Sequence, residues 1–165
     1  MSGHASGERS GPDAAARLQL HASCVAFAGT GILLRGAPGA GKSDLALRLV
    51  DAGGVLVADD LCEVWRRGAR LIADLPAAVD RGFRGRIEVR GIGFLSLPYA
   101  GPTPLALVAD LRPGRALARL PPEGGEALLL GLALPLVVLD PFQVSAVAKL
   151  RLLAEQGPGT IMRAP

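Results

Sequence analysis

The sequence is poor in several residue types that mark particular classes of protein. Its 165 residues include only one tryptophan, one tyrosine and four phenylalanines, although half of the chain is hydrophobic. An aliphatic core is therefore expected. Cys24 and Cys62 are the only cysteines. Their spacing fits neither a metal site nor a disulfide framework, which predicts buried or idle thiols in a reducing cytosol.

Charge and hydropathy argue against two further kinds of partner. The net charge is only +3, and the arginines are spread along the chain without a dense basic run, so nucleic acid is not an expected partner. The longest apolar stretch, residues 127–139, contains Pro135. It is shorter than the roughly 20 residues of a membrane span. The polar first residues lack the apolar segment of a secretory signal, so we expect a cytoplasmic protein without a membrane helix.

The pattern of apolar residues and turn signals predicts one α/β domain that is rich in β-structure. Residues 1–16 lack a hydrophobic period and are expected to form a disordered extension, with the domain at residues 17–165. Helices are expected at residues 43–50 and 144–155, and glycine and proline clusters predict loops at 98–104 and 121–125. Short strands are predicted at residues 24–28, 31–34, 55–58, 64–65, 71–72, 87–89 and 105–109.

A complete phosphate-binding loop lies between the second predicted strand and the first helix. It reads G-x-x-x-x-G-K-S and consists of Gly36, Ala37, Pro38, Gly39, Ala40, Gly41, Lys42 and Ser43. The glycines let backbone N–H groups turn toward the phosphates, Lys42 adds a point charge, and the Ser43 hydroxyl can join the shell of a Mg²⁺ ion. Lys42 is one of two lysines in a chain whose other basic residues are arginines. The motif predicts nucleotide binding.

Two acidic residues, Asp59 and Asp60, end the predicted strand at residues 55–58. Ligands bind at the carboxyl ends of strands in open α/β sheets. Only one short helix separates the acids from Lys42, so their strand is expected to lie beside the P-loop strand. If both acids kept strand geometry, their side chains would diverge, one toward the metal and one toward a hydroxyl proton. The pattern leaves open which does which, and a solvated acidic turn is the alternative.

Two further groups are ambiguous by pattern alone. Alternation places Glu88 and Arg90 on one face of a strand, where they could bind Mg²⁺ and a phosphoryl oxygen. An exposed, salt-bridged strand has the same pattern. His21 is compatible with either a catalytic role or an ordinary surface position.

Taken together, these motifs resemble the C-terminal catalytic domain of HPr kinase/phosphorylase, the bacterial enzyme that phosphorylates a serine of the phosphocarrier protein HPr. The resemblance covers residues 20–157. It rests on the Leu20-His21 pair, the loop GAPGAGKS, the strand end V-A-D-D at residues 57–60, and the family signature E-[IV]-R-G-[IL]-G at residues 88–93. It implies a P-loop domain of the HPr kinase/phosphoenolpyruvate carboxykinase type, with a β-rich mixed sheet and few helices.

The resemblance also implies roles for individual residues. His21 would tune the catalytic acid, Lys42 would hold the phosphates of ATP, and the Asp59-Asp60 pair would include the proton acceptor. Ser43 and Glu88 would bind Mg²⁺. Arg119 would correspond to an arginine of the active-site loop, and the family's quaternary structure implies a hexamer.

The chain departs from the family pattern in two ways. It resembles the short form of some proteobacteria, which lacks the amino-terminal regulatory domain. The P-x-x-G-R-N segment, associated with removal of phosphate from the seryl product, is replaced by L-D-P-F-Q-V at residues 139–144. We therefore predict an ATP-dependent serine kinase acting on HPr, with weak phosphorylase activity. The alternatives are a P-loop kinase of another protein or small molecule, or a non-catalytic ATP-binding regulatory module.

Overall fold

The computed structural model describes residues 16–116, 125–157 and 159, and the helices and strands below are those of this part of the chain. There are two α-helices, α1 at Lys42–Asp51 and α2 at Ala146–Gln156, and a short 3₁₀ helix at Arg81–Phe83. The eleven strands are β1 Arg17–Leu20, β2 Ala22–Phe27, β3 Thr30–Arg35, β4 Val55–Ala58, β5 Cys62–Arg67, β6 Arg70–Asp74, β7 Arg86–Val89, β8 Gly93–Ser96, β9 Thr103–Leu111, β10 Glu126–Leu129 and β11 Leu132–Leu139.

Nine of these strands form one mixed sheet. Its main order is β1-β5-β6-β9-β3-β2-β4, and the β10–β11 hairpin joins it through the pairing of β11 with β9. Strands β7 and β8 form a separate hairpin. Neither α1 nor α2 is long enough to cross a bilayer.

The core lies on both faces of the central strands, because apolar residues occupy consecutive positions in these strands and their side chains therefore point to both faces. In β3, Ile32 and Leu34 join the cluster that packs beneath α1 and α2, whereas Leu33 joins the cluster on the opposite face. This period of two is that of a strand buried on both sides. Cys24 and Cys62 are buried and free, as expected. The hydrogen bond with Cys62 and burial raise the pKa of the Cys24 thiol well above its ordinary value.

The topology directs four strand ends to one edge of the sheet. Strand β3 is parallel to β9, and β9 is parallel to β11. Strand β2 is antiparallel to both β3 and β4, so β4 runs in the same direction as β3. The carboxyl ends of β3, β4, β9 and β11 therefore meet at the same edge, where the P-loop begins.

The predicted β-rich mixed sheet with few helices is confirmed, but one predicted neighbour is wrong. We expected the strand at residues 55–58 to lie beside the P-loop strand, and β2 lies between them. The P-loop strand is the second strand of the β2–β3 hairpin, so β2 occupies the adjacent position before β4 is reached. Because β2 is antiparallel to both neighbours, the ends of β3 and β4 still share an edge.

Further differences concern strands and turns that the sequence pattern did not predict. Strands β1, β8, β10 and β11 are additional to those predicted, and β9 already begins at Thr103, inside a predicted loop. The β10–β11 hairpin turns at Leu130 and Gly131, both with positive φ. Such a turn usually carries Asn-Gly or Asp-Gly, so the Leu-Gly sequence at this position did not predict a hairpin. The predicted extension at residues 1–16 falls almost entirely outside the described residues, as does most of the loop predicted at 121–125.

Candidate active site

The P-loop turns tightly between β3 and α1. The Ala40 N–H donates to the Ala37 carbonyl at 3.0 Å, and Gly41 has a φ of 94°, a conformation that L side chains rarely adopt. No side chain caps the start of α1. The first residues of α1 line a cavity, and the N–H groups of a helix start have no partners within the helix.

Lys42 is folded over this loop. Its ammonium group donates to the Gly36 carbonyl at 2.8 Å and to the Ala37 carbonyl at 3.1 Å, and the residue is 9% exposed. Two neutral carbonyl oxygens satisfy the hydrogen-bonding capacity of a lysine only in part. The charge is thus held at the phosphate-binding loop without a carboxylate to neutralise it among the described residues.

Asp59 connects the end of β4 to the P-loop. Its Oδ1 accepts a hydrogen bond from the Ser43 hydroxyl at 2.9 Å and another from the Ser23 hydroxyl at 2.8 Å. Burial raises the pKa of Asp59 above its ordinary value, although the hydrogen bonds from Ser23 and Ser43 act in the opposite direction. The carboxylate is therefore partly desolvated and is held by two hydroxyl groups.

Asp60 follows in a different backbone conformation. Strand β4 ends at Ala58, so neither acid has strand geometry, and Asp60 has a φ of 63°. Its N–H donates to the Ser23 Oγ at 3.4 Å, and its side chain is exposed. The expectation that the two side chains diverge required strand geometry at both acids, which they do not have. Both residues line the same cavity.

That cavity has a volume of about 510 Å³, which suits a small ligand. Its lining also includes Glu88 and Val89 at the end of β7 and Arg90, which follows that strand. Among the described residues, Glu88 and Arg90 make no ion pair with each other. The full lining consists of Pro38, Gly39, Gly41, Lys42, Ser43, Asp44, Leu47, Asp59, Asp60, Glu88, Val89, Arg90 and Phe142.

Two predicted residues are not brought into this group. His21 lies exposed at the bend between β1 and β2, and its side chain makes no hydrogen bond or ion pair within the described part of the chain. It is nevertheless two residues from Ser23, which holds Asp59. Arg119 lies outside the described residues.

The segment that replaces the family's P-x-x-G-R-N motif forms the turn between β11 and α2. Asp140 organises it, because its Oδ1 accepts the Phe142 N–H at 3.0 Å and its Oδ2 accepts the Gly114 N–H at 3.1 Å. Asp140 itself does not line the cavity of about 510 Å³, whereas the Phe142 ring does.

A second cavity lies on the other side of the loop and has a volume of about 620 Å³. It is lined by Gly36 and Ala37 together with Arg112 and Arg115, the two arginines that follow β9. Arg35 also lines it and forms a bidentate ion pair with Asp110, with distances of 2.8 and 3.1 Å. Arg112 and Arg115 are therefore separated from the carboxylate cavity by the P-loop.

The residues around the acids are of the types that bind a divalent cation, and among the described residues no three acidic, histidine or cysteine side chains form a preassembled metal site. Ser43, Asp59, Asp60 and Glu88 contribute only oxygen atoms, which are the ligands that Mg²⁺ prefers. The hydrogen bond between the Ser43 hydroxyl and Asp59 Oδ1 at 2.9 Å places the acidic strand end directly beside the P-loop serine.

Sequence reasoning missed Ser23 and Phe142. Ser23 is completely buried and is the only hydroxyl residue in the apolar strand β2, which is the signal that could have identified it. Phe142 could not be identified as a cavity residue, because no local pattern relates the end of β11 to the P-loop.

Comparison with known proteins agrees with the resemblance. A family model described as "HPr Serine kinase C-terminal domain" matches residues 13–99. A relative from Azoarcus sp. (strain BH72), named HPr kinase/phosphorylase, is 34% identical over 152 residues, which cover 86% of this chain and 47% of the relative. One of the same name from Lactococcus lactis subsp. lactis (strain IL1403) is 39% identical over 83 residues, or 50% of this chain and 26% of the relative.

A solved structure shares the fold. The HPr(Ser) kinase/phosphatase from Coxiella burnetii superimposes with a TM-score of 0.68 at 24% identity, covering 85% of this chain and 99% of that one. The present chain spans about half the length, or less, of the curated relatives it matches.

Proposed function

Because the chain belongs to the family of HPr serine kinase C-terminal domains, we propose that it is an ATP-dependent kinase that transfers the γ-phosphoryl group to a seryl hydroxyl of an HPr-like phosphocarrier protein. The observation that carries this proposal is the contact between the Ser43 hydroxyl and the Asp59 carboxylate at 2.9 Å. It joins the phosphate-binding loop to the acidic strand end in one cavity. A module that only senses nucleotide has no need of a desolvated carboxylate beside that loop.

The P-loop would bind the polyphosphate. The N–H groups at the start of α1 donate to anionic oxygens, and the Lys42 ammonium exchanges the carbonyls of Gly36 and Ala37 for phosphate oxygens. Phosphoryl transfer has a loose transition state, so catalysis consists mainly of positioning and of neutralising charge. In this proposal Arg119 supplies a further positive charge.

Ser43 and Glu88 would hold Mg²⁺, with Asp60 available as a further oxygen ligand. The ion would supply charge neutralisation at the phosphates. Its ligands lie on three separate elements, α1, β7 and the end of β4, so the site depends on the assembled sheet edge.

Asp59 is assigned as the proton acceptor. Its Oδ1 already accepts hydrogen bonds from two hydroxyl groups, and the seryl hydroxyl of the acceptor would have to be received in the same way. The bond between the seryl oxygen and the γ-phosphorus forms, the bond to the β–γ bridging oxygen breaks, and the proton passes to Asp59. Ser23 would position Asp59, and His21, at the edge of the site, would tune the Asp59-Asp60 pair.

The β7–β8 hairpin would receive the acceptor protein. Glu88, which lines the cavity, lies opposite Phe94 in the hairpin, and Ile92 and Phe94 are 72% and 68% exposed. Aromatic and aliphatic side chains of this kind are typical anchors of protein interfaces. A protein acceptor accounts for such a surface better than a small molecule does.

We also propose a catalytic domain at residues 17–165, a cytoplasmic location, and the hexamer that the resemblance implies. Leu128 and Leu152 are 73% and 50% exposed and offer apolar surface for self-association. Light scattering of the purified protein would test this, and a monomer at micromolar concentration would count against it.

The central experiment is to incubate the protein with labelled ATP, Mg²⁺ and an HPr-type acceptor. We expect label on a serine of the acceptor, and none when that serine is replaced by alanine. Nucleotide binding without any transfer to HPr, to other proteins or to small molecules would instead indicate a regulatory module.

A further inference from the structure

The ring of Phe142 contacts the P-loop at one edge and is otherwise largely exposed. Only six aromatic residues occur in the chain, and two of them, Phe27 and Trp65, are buried as expected. Phe142 is 58% exposed and lines the cavity above the P-loop. A large apolar side chain at the rim of a polar, anion-binding cavity gains little from folding, which points to a ligand.

The ring is held in place by its surroundings. Asp140 accepts the Phe142 N–H at 3.0 Å. Arg48 donates to the carbonyl oxygen of Pro141, which is buried, and after Phe142 the chain continues in a turn toward α2. The ring also lies against the P-loop backbone, because a Cβ placed on Gly41 would be 2.9 Å from the Phe142 Cζ. The ring is therefore presented in a fixed position and would lose little conformational entropy on binding.

The sheet places this ring and the carboxylates on opposite flanks of the P-loop. Strand β4, which leads to Asp59, lies two strands from β3 on one side, and β11, which leads to Phe142, lies two strands from β3 on the other. The proposed function requires the terminal phosphate to lie near Asp59. A nucleotide crossing the loop from that end extends its nucleoside toward the β11 flank.

We propose that Phe142 is the stacking platform for the base of the bound purine nucleotide. A base stacked on an aromatic ring gains binding energy whatever its hydrogen-bonding edge, so the platform would add affinity without requiring one particular purine. This inference rests on the proposed use of ATP. The acceptor protein is assigned to the opposite flank, where Glu88, Ile92 and Phe94 lie, so it does not account for Phe142.

The test compares ligands with and without a base. Isothermal titration with Mg²⁺ would measure the dissociation constants of ATP and of inorganic tripolyphosphate for the wild-type protein and for Phe142→Ala. We expect Phe142→Ala to weaken ATP binding by about tenfold and to leave tripolyphosphate binding within twofold of the wild type. Phe142→Tyr, which keeps the ring, should bind ATP like the wild type, whereas Phe142→Leu should resemble Phe142→Ala.

Phe83→Ala is the matched control, because Phe83 is 50% exposed and does not line this cavity. It should leave both affinities unchanged. Equal weakening of ATP binding and tripolyphosphate binding in Phe142→Ala would overturn the proposal, as would a wild-type protein that binds the two ligands equally well. A loss of ATP affinity in Arg115→Ala but not in Phe142→Ala would also overturn it. A wild-type protein that binds neither ligand would instead refute the P-loop function itself.

Discussion

Ser23 donates its hydroxyl hydrogen to Asp59 across 2.8 Å, from a strand that separates the acidic residue from the P-loop strand. The same Ser23 oxygen accepts the Asp60 N–H at 3.4 Å. One completely buried hydroxyl group thus fixes both the carboxylate and the backbone that follows it. The hydrogen bond explains how β2 can intervene between β3 and β4 without disrupting the site.

Replacing Ser23 by alanine should therefore slow the chemical step. We expect kcat to fall by about tenfold, because a hydrogen bond to a charged group is lost, while the dissociation constant of ATP changes less than twofold. Ser145→Ala is the control, because Ser145 is exposed before α2, does not line the cavity and makes no cap hydrogen bond through its side chain. A loss of ATP affinity as large as the loss of kcat would indicate a general structural defect instead.

Lys42→Met should abolish productive use of ATP and leave the fold intact. The substitution keeps the aliphatic stem and removes the charge that the loop holds near Gly36 and Ala37, so ATP affinity should fall by about a hundredfold. Lys149→Met is the matched control, since it removes the only other lysine, which is exposed on α2. Circular dichroism checks the fold, and wild-type turnover in Lys42→Met would refute the P-loop assignment.

Substitutions of Asp59 and Asp60 should differ in their effect on the rate of phosphoryl transfer. Asp59→Asn should lower the rate of phosphoryl transfer at saturating ATP by a factor on the order of a thousand, since proton acceptance contributes to the transition state, with little change in nucleotide affinity. Asp60→Asn should have the smaller effect on kcat. Near-normal rates in both variants would exclude acid-base work by the pair, and a larger defect in Asp60→Asn would reverse their assignment.

Asp59 should also reduce the stability of the metal-free protein at neutral pH. Burial raises its pKa in the folded state, so the folded state binds the proton more tightly, and the free energy of unfolding falls as pH rises from the unfolded pKa through the folded one. In EDTA at pH 7, Asp59→Asn should unfold at the same or a higher temperature than the wild type. Near pH 3, below both pKa values, this advantage should disappear.

Glu126→Gln serves as the control for that comparison, because Glu126 is exposed on β10 and makes no side-chain hydrogen bond or ion pair among the described residues. It should show no such dependence on pH. A melting temperature of Asp59→Asn well below that of the wild type at pH 7 would mean that the ionised carboxylate contributes net stability.

The reverse reaction should be slow. Phosphorolysis needs a second phosphate held near the phosphoserine, and Phe142, Gln143 and Val144 supply no positive charge where the family has G-R-N. Arg112 and Arg115 line the cavity on the other side of the P-loop. With seryl-phosphorylated HPr and millimolar phosphate, pyrophosphate should be released at a small fraction of the forward rate, and Gln143→Arg should increase it. A wild-type reverse rate comparable to the forward rate would contradict this.

The local chemistry of the site could be predicted from the sequence because it depends on residues that are adjacent in the chain. The P-loop, its lysine and the start of α1 form one continuous segment, and the turn at Gly41 requires only the conformational freedom of glycine. The carboxylates after β4 follow from the rule that ligands bind at strand ends. The role proposed for His21 rests on the resemblance alone, because its local pattern also fits an ordinary surface position.

Tertiary structure alone decided which distant residues share the cavity. The order of strands in the sheet determines that Ser23, on the strand between β3 and β4, reaches Asp59, and that the end of β11 brings Phe142 against Gly41, a hundred residues away in the chain. Sequence periodicity reports which faces of a strand are buried but not which strands are neighbours, because pairing depends on hydrogen bonds and packing between segments far apart in the sequence.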